Sequence, residues 1–234
     1  METTPFALVL ALGFLSGMRH ALDPDHIAAV STIVTEHRQV WRSSRVGAFW
    51  GIGHTVTLAA AGLVVLLFKL AIPERLALGF ELAVGVMLVI LGLQVLVRLV
   101  RDRFHIHAHE HGSERHIHLH SHRHGPDHHH EHGWRYEWRS LLIGMVHGLA
   151  GSAALTVLLL SSFHSLLQGA LYLLMFGIGS IAGMMLASAL IGSPFAYTAW
   201  RFERVNRALR ALAGLASLGI GLAIIFEIGG QLIW

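Results

Sequence analysis

Cysteine is absent from this 234-residue sequence, and charged residues are scarce. Without cysteine the chain has no thiolate to offer a metal and cannot form a disulfide. Charged residues make up 13% of the sequence, about half the share that is usual in a soluble domain. The sequence also lacks a G-x4-G-K-[ST] phosphate loop, which excludes ATP hydrolysis by that route. These absences argue against a soluble domain and against a thiolate metal site.

Long apolar segments occupy most of the chain, which is 54% hydrophobic. The hydrocarbon core of a membrane is about 30 Å thick, and a helix needs roughly 20 mostly apolar residues to cross it. The segments do not alternate polar and apolar residues as the strands of a membrane barrel do. We therefore predict an all-α, polytopic membrane protein. Its six predicted spans are Pro5–Thr35, Val46–Leu70, Leu76–Val100, Ser140–Ser162, Leu166–Ile191 and Ala208–Ile233.

Three short patterns recur about 127 residues apart and indicate an internal repeat. Gly17-Met18-x-His20 returns as Gly144-Met145-x-His147, and the G-I-G of the second span returns at residues 177–179. The G-x6-G-L of the third span returns at residues 214–222. Because each copy has three spans, an odd number, the second copy is expected to be inverted in the membrane. We predict one three-helix repeat over residues 1–100 and a second over residues 140–234.

Basic residues are distributed unevenly between the predicted connections. The first, third and fifth connections carry three, seven and four arginines, whereas the other side carries only Lys69 and Arg75. Basic connections tend to stay in the cytoplasm. The protein is therefore expected in the cell (inner) membrane, with both termini outside and residues 101–139 in the cytoplasm. The same distribution explains the net charge of +3 without a nucleic-acid partner.

Residues 101–139 differ from the rest of the chain in composition. Thirteen of the nineteen histidines lie between His105 and His132, with almost no apolar residues among them. Such a segment cannot bury enough surface to offset the entropy of ordering, so we expect it to be disordered. One interpretation is a solvated linker that binds metal incidentally. The other is a cytoplasmic metal buffer or sensor, whose affinity falls below about pH 6 as its imidazoles are protonated.

A cluster of ionisable residues interrupts the first span, in the stretch His20-Ala21-Leu22-Asp23-Pro24-Asp25-His26. Asp23 precedes a proline, which disfavours helix there, so we predict that the first helix is broken at Asp23-Pro24. Ionisable residues inside a membrane indicate a functional site. Imidazole together with carboxylate suits divalent nickel, cobalt, zinc or manganese. The alternative is a buried polar network that only fixes helix packing.

Two further histidines lie in other spans. His54, in the second span, would add a third imidazole, unless it only makes an interhelical hydrogen bond. His147 stands at the repeat position of His20, and it would either bind the ion or line its path, unless it too only makes an interhelical hydrogen bond. The predicted metal ligands are therefore His20, Asp23, Asp25, His26, His54 and His147.

The stretch from His20 to His26 resembles the H-A-x-D-A-D-H signature of the nickel/cobalt transporters, with proline in place of the usual alanine. It also fits the shorter H-x4-D-H form through His20, Asp25 and His26, and Gly53-His54-Thr55 resembles the family's G-H-[ST] element in the next span. The resemblance implies selective transport of nickel or cobalt. It also implies that His20, Asp25 and His26 are essential for transport.

Some features depart from the longer members of that family, which have eight spans and an acidic L-G-F-D-T-A-T-E element. No carboxylate occurs between Gly148 and Thr156, where such an element would be expected. The six spans and the histidine-rich loop look more like the family's short branches, which include an exporter. That exporter branch has glutamate and glycine where this chain has Asp23 and Asp25.

The sequence thus predicts a secondary transporter rather than an enzyme, with no cofactor and with Ni²⁺ or Co²⁺ as its substrate. Uptake is the first hypothesis, because membrane potential alone can drive a divalent cation inward. Efflux of the same ions is the alternative, favoured by the histidines on the cytoplasmic side. A membrane-embedded metallohydrolase is a third hypothesis, but no general base is evident outside the cluster. The expected partners are the ion, the lipid bilayer and a cytoplasmic metal acceptor, and the oligomeric state is left open.

Overall fold

The computed structural model describes residues 6–35, 37, 39–69, 72–101, 105–111, 114–120, 133–162 and 165–233. Within these ranges the chain forms seven helices and one two-stranded hairpin. The helices are α1 Phe6–His20, α2 Pro24–Val34, α3 Val40–Phe68, α4 Glu74–Arg101, α5 Gly133–Ser162, α6 Leu166–Arg201 and α7 Glu203–Ile233. The strands are β1 His105–His111 and β2 Glu114–His120.

Four helices, α3, α4, α6 and α7, are each long and apolar enough to cross a membrane. The pair α1 and α2 passes the same test together, either as one broken span or as a re-entrant loop. The predicted all-α membrane architecture is confirmed at this level. α5 covers the predicted fourth span, Ser140–Ser162, but is not among the helices that pass the test in the described part of the chain. Six spans in an inverted repeat therefore remain a prediction.

The first predicted span is divided at Asp23. α1 ends at His20 and α2 begins at Pro24, with a bend of 58° between them. Asp23 has an extended backbone, with ψ at 145°, and proline takes the first turn of α2. A proline is harmless there, because the first N–H groups of a helix have no intrahelical acceptor. The Asp23 carbonyl accepts a hydrogen bond from the Ile27 N–H at 3.0 Å, so the chain resumes helix at once.

Helix α6 is longer than the predicted span Leu166–Ile191, because it continues to Arg201. It passes through Pro194, which has no N–H to donate to the Leu190 carbonyl. The Ser193 hydroxyl donates to that carbonyl instead, at 2.8 Å. A side chain that satisfies the freed carbonyl allows a membrane helix to contain a proline. The helix therefore extends beyond the predicted span, whose limits in the membrane remain a prediction.

The backbone within residues 101–139 differs from our expectation of disorder. β1 and β2 form an antiparallel hairpin whose register runs from His105 opposite His120 to His111 opposite Glu114. Helix α5 also begins at Gly133, within the expected loop. A two-stranded hairpin on its own is at best marginally stable in water. Disorder of this loop in solution therefore remains a prediction.

Close helix crossings define the bundle, and glycine makes them possible. Gly17 of α1 lies against the backbone carbonyl of Phe176 in α6, and Gly144 of α5 lies against that of Trp50 in α3. A Cβ atom at either glycine would overlap the facing backbone. Small residues allow such close approach in membranes, where lipid is as apolar as the helices and dispersion contacts drive association. These crossings pair α1 with α6 and α5 with α3.

The facing residues also give the relative directions of the helices. In the pair α3–α5 and in the pair α1–α6, the residue numbers of successive contacts rise together in both helices, so each pair is parallel. In the pairs α3–α6 and α4–α7, the numbers rise in one helix as they fall in the other, so these pairs are antiparallel. The contacts are Trp50 with Gly144, His54 with Gly148, Tyr172 with Gly13, Phe176 with Gly17, Ser188 with Gly47, Thr55 with Gly177, Gly221 with Gly85 and Gly214 with Gly92.

The short helix α2 is enclosed by the others. Ala28, Ala29, Val30 and Val34 are at most 3% exposed and belong to one core cluster with residues of α3, α4, α6 and α7. Burial of this apolar face holds α2 inside the bundle. Because α2 begins at Pro24, its first turn carries Asp25 and His26 into the interior.

We expect Gly144→Ala to destabilise the protein, because the new methyl group would overlap the Trp50 carbonyl. Overpacking typically costs about 1–3 kcal/mol. The melting temperature in detergent should therefore fall by about 2–12 °C for a chain of this length. Gly79→Ala is the matched control, since its Cβ meets no atom within 4 Å. Equal melting temperatures for the two variants would contradict the α3–α5 crossing.

Candidate metal site

Three histidines from three helices are almost fully buried at the centre of the bundle. His26, His54 and His147 are 2%, 0% and 1% exposed. His54 is the middle residue of α3, and His147 lies at the middle of α5. The site therefore lies about halfway along both helices.

The first ligand group consists of His20, His26 and His54. Each offers one ring nitrogen, and the three nitrogens lie within 4.8 Å of one another. The Nε2 atoms of His20 and His54 are 3.2 Å apart. The bend after α1 makes this possible, because it brings the rings of His20 and His26, six residues apart, to a centroid separation of 4.6 Å. Three imidazole nitrogens at this spacing can hold one transition-metal ion.

Asp23 lies behind this group rather than in it. Its Oδ2 accepts a hydrogen bond from Nδ1 of His20 at 2.8 Å, and its side chain is 47% exposed. This bond places the proton of a neutral His20 on Nδ1 and leaves the lone pair of Nε2 for an ion. Carboxylates commonly orient metal-binding histidines in this way.

The second ligand group consists of Asp25, His26 and His147, whose ligand atoms also lie within 4.8 Å of one another. Asp25 Oδ2 is 2.7 Å from Nε2 of His147, and Asp25 Oδ1 is 3.1 Å from Nδ1 of His26. The carboxylate therefore joins α2 to α5. Unlike the first group, this one carries a negative charge.

Buried nitrogens around the site lack partners. Among the residues that the structure describes, Nε2 of His26, Nδ1 of His54 and Nδ1 of His147 have no hydrogen-bond partner. A buried polar atom without a partner is unfavourable, so such atoms call for an explanation. A cation bound between the imidazoles would supply a partner for His26 Nε2. A network that only fixes packing would be expected to satisfy its polar atoms.

The structure brings all six predicted ligand residues to one place, with Asp23 outside the two groups. It also adds residues that the sequence did not single out as part of the site. Trp50 is 1% exposed and lies 5.3 Å from the ring of His26 and 5.7 Å from that of His147. Phe176 lies 5.4 Å from the ring of His20. Aromatic walls of this kind exclude water and lower the local dielectric constant.

Gly151 is a further neighbour that sequence reasoning missed. A Cβ built at this position would lie 3.5 Å from Nε2 of His20. It stands four residues after His147 in α5, so it lies one helical turn along the same face. This four-residue spacing from His147 is the sequence signal for Gly151. Because glycine is frequent in this chain, the spacing alone does not distinguish Gly151 from other glycines.

His37 lies apart from the ligand groups, in the connection between α2 and α3. Burial, reinforced by the Arg42 guanidinium, lowers the pKa of His37 to about 4, so its imidazole is neutral at pH 7. It provides a matched buried histidine outside the cluster. The side chains of the histidines between His105 and His132 lie outside those that the structure describes.

Comparisons with known proteins agree with this chemistry. A family described as high-affinity nickel-transport protein matches residues 6–229. The chain is 38% identical over 229 residues to the urease accessory protein UreH of Bacillus sp. (strain TB-90), covering 98% of this chain and 95% of that protein. The resemblance to nickel/cobalt transporters drawn from the His20–His26 motif is thereby confirmed.

More distant relatives occur in plants. The chain is 30% identical over 218 residues to the chloroplast protein FOR GROWTH AND FERTILITY 1 of Arabidopsis thaliana, covering 92% of this chain and 58% of that protein. FOR GROWTH AND FERTILITY 2 of the same plant is 29% identical, with 55% of its length covered. The chain thus spans little more than half of either plant protein. No solved structure matches it significantly. The match over residues 6–229 shows that this chain belongs to the high-affinity nickel-transport protein family.

Proposed function

We propose that this protein is a secondary transporter that takes up nickel or cobalt ions across the inner membrane. The observation that carries the proposal is the group of His20, His26 and His54, whose ring nitrogens converge within 4.8 Å in the interior of the bundle. Imidazole is a ligand of intermediate softness that suits both ions. Because the site contains no thiolate, its metal–ligand bonds can break as well as form, which transport requires.

The two carboxylates have different roles in this proposal. Asp25 lies among the ligands and offsets part of the charge of the ion, which is unfavourable in a medium of low dielectric constant. Asp23 holds the ring of His20 in the orientation that turns Nε2 inward. His54 and His147 complete the ligand set from α3 and α5.

The proposed architecture is a pair of inverted three-helix repeats. Gly53 lies against the carbonyl of Leu141, and a shift of 126–127 residues converts this contact into the one between Gly179 and the carbonyl of Phe14. Each repeat thus places its first helix against the second helix of the other. α1 runs parallel to α6, α6 runs antiparallel to α3, and α3 runs parallel to α5. These directions support opposite orientations for α1 and α5, the first helices of the two repeats.

The basic connections support an orientation with both termini outside and residues 101–139 in the cytoplasm. Uptake then moves a divalent cation toward the negative side of the membrane, which needs no ATP. The histidine-rich segment would receive ions after passage or hand them to a cytoplasmic metal acceptor. The same segment is the observation that favours efflux as a second candidate, because histidines on the cytoplasmic side would also collect ions for export.

Cells that express this protein should accumulate radioactive nickel or cobalt faster than cells with an empty vector. His20→Ala should abolish the difference, because it removes one of three converging ring nitrogens. His37→Gln should leave uptake unchanged, since His37 lies outside the cluster. Membrane abundance of each variant is measured in parallel. Raised metal tolerance together with lower cell metal would favour efflux, and uptake unaffected by His20→Ala would exclude the assigned site.

A further inference from the structure

His26 lies between the two ligand groups and belongs to both. On one side its ring is 4.6 Å from that of His20 and 5.1 Å from that of His54. On the other side its ring is 4.2 Å from that of His147, and its Nδ1 contacts Asp25. Nε2, the other nitrogen of the ring, has no hydrogen-bond partner in the part of the chain that the structure describes.

The two groups share only this residue. The rings of His54 and His147, one from each group, are 6.2 Å apart, whereas the ring of His26 lies 5.1 Å from the first and 4.2 Å from the second. A neutral imidazole has one nitrogen with a free lone pair at a time, so one histidine can serve two neighbouring positions in succession but not two ions at once. His26 is the residue through which an ion in one group could reach the other without leaving the ligands.

We propose that the transported ion occupies two positions in succession, which we call the imidazole position and the carboxylate position. His20, His26 and His54 form the imidazole position, and Asp25, His26 and His147 form the carboxylate position. His26 is a ligand in both and passes the ion between them. The inference rests on the proposed transport function and adds to it the route of the ion through the site.

Electrostatics restricts the pair of positions to one ion at a time. Two divalent cations on either side of a single imidazole would repel strongly in a protein interior. The imidazole position has no charge among its three ligands, whereas the carboxylate position has one negative charge. An ion that moves from the first to the second gives up His20 and His54 and gains Asp25 and His147, so it keeps three ligands and exchanges one neutral ligand for a charged one.

The order of the two positions follows from the direction of the chain. α1 descends from the outer side in the proposed orientation and ends at His20. α2 continues toward the cytoplasmic connection and carries Asp25 and His26 in its first turn. The imidazole position is thus nearer the outside, and the carboxylate position is nearer the cytoplasm. During uptake the ion meets the neutral ligands first.

Single and double substitutions in full-length protein test this arrangement. Co²⁺ binding to His54→Ala, His147→Ala and the double variant is measured in detergent by equilibrium dialysis. X-ray absorption of the bound Co²⁺ reports how many imidazoles it contacts. We expect each single variant to retain one ion with an affinity within about 10-fold of the unsubstituted protein, and the double variant to lose at least about 100-fold. His147→Ala should show three imidazoles and His54→Ala two.

Flux into liposomes completes the test. Both single variants should lose at least about 10-fold in rate while still binding, because each lacks one of the two successive positions. His37→Gln is the control for both measurements, and His54→Gln and His147→Gln replace any alanine variant that does not elute as folded protein. Binding in either single variant as weak as in the double variant would show one shared position and overturn the proposal. Unchanged flux in either single variant would also overturn it.

The same experiment separates this inference from the proposed function. If unsubstituted protein moves no Co²⁺ or Ni²⁺, transport fails as the function, whatever the variants bind. If it does move the ions but the single variants all lose binding, the two-position route fails while transport stands.

Discussion

Asp25→Asn is expected to reduce the rate of nickel or cobalt transport by at least about 100-fold, equivalent to about 3 kcal/mol. The asparagine side chain has nearly the same shape and keeps one oxygen, but it carries no charge. Asp25 contacts His26 and His147 at 3.1 Å and 2.7 Å, so its charge lies directly beside two of the proposed ligands. Loss of that charge leaves a divalent ion among neutral groups in a medium of low dielectric constant. The measurement is the initial rate of radioactive nickel entry into liposomes.

Asp23→Asn is the matched control, since it makes the same chemical change two residues earlier. Asp23 is half-exposed and contacts Nδ1, on the far side of the His20 ring from Nε2. An asparagine oxygen can still accept that hydrogen bond, so we expect a loss nearer 10-fold, at the lower end of the effect of outer groups at metal sites. Equal losses for the two variants would contradict the different roles assigned to the two carboxylates.

The position of the site could be predicted from sequence because its signals are local. Asp23-Pro24 imposes a break that needs no knowledge of the neighbouring helices. The break then determines that His20 and His26 can face one another. A histidine within an apolar span needs a polar partner in the protein interior, so the sequence also indicates His54 and His147 as candidate site residues.

The partners within the site could not be predicted in the same way. His147 stands at the repeat position of His20, yet its contact is with Asp25 rather than with an equivalent of Asp23. That contact depends on the crossing of α5 with α3, which is set by Gly53, Gly144 and Gly148. Membrane helices are apolar on all sides, so no polar face in the sequence indicates which neighbour each one chooses. The place of Trp50 beside the histidines follows from the same crossing.

The extent of α6 shows another limit of the sequence. Pro194 is a valid signal for the end of a helix, and the neighbouring Ser193 can equally well be read as part of a turn. The backbone of α6 nevertheless continues to Arg201, and the Ser193 hydroxyl donates to the Leu190 carbonyl that Pro194 leaves free. Composition and periodicity do not determine whether a helix will accommodate a proline in this way.

Membrane potential is expected to set how far the ion accumulates. A divalent cation that crosses 100 mV gains about 4.6 kcal/mol, since each charge gains about 2.3 kcal/mol. At 1.4 kcal/mol for each factor of ten, the limiting concentration ratio is about 2000-fold. Liposomes with an outward potassium gradient and valinomycin provide an inside-negative potential of this size. Radioactive nickel should approach that ratio at equal pH on both sides, and it should stop at equality when the potential is absent.

The dependence on potential also decides between uptake and efflux. A carrier that moves Ni²⁺ or Co²⁺ alone must follow the potential, and reversal of the potassium gradient must reverse the net movement. An exporter has to move the same ion against that force, so it must exchange the ion for another, such as a proton. Accumulation that ignores the potential but follows an imposed pH gradient would therefore exclude uptake driven by potential and support exchange. Asp25→Asn in the same liposomes is the control, because any movement that it leaves unchanged does not pass through the histidine site.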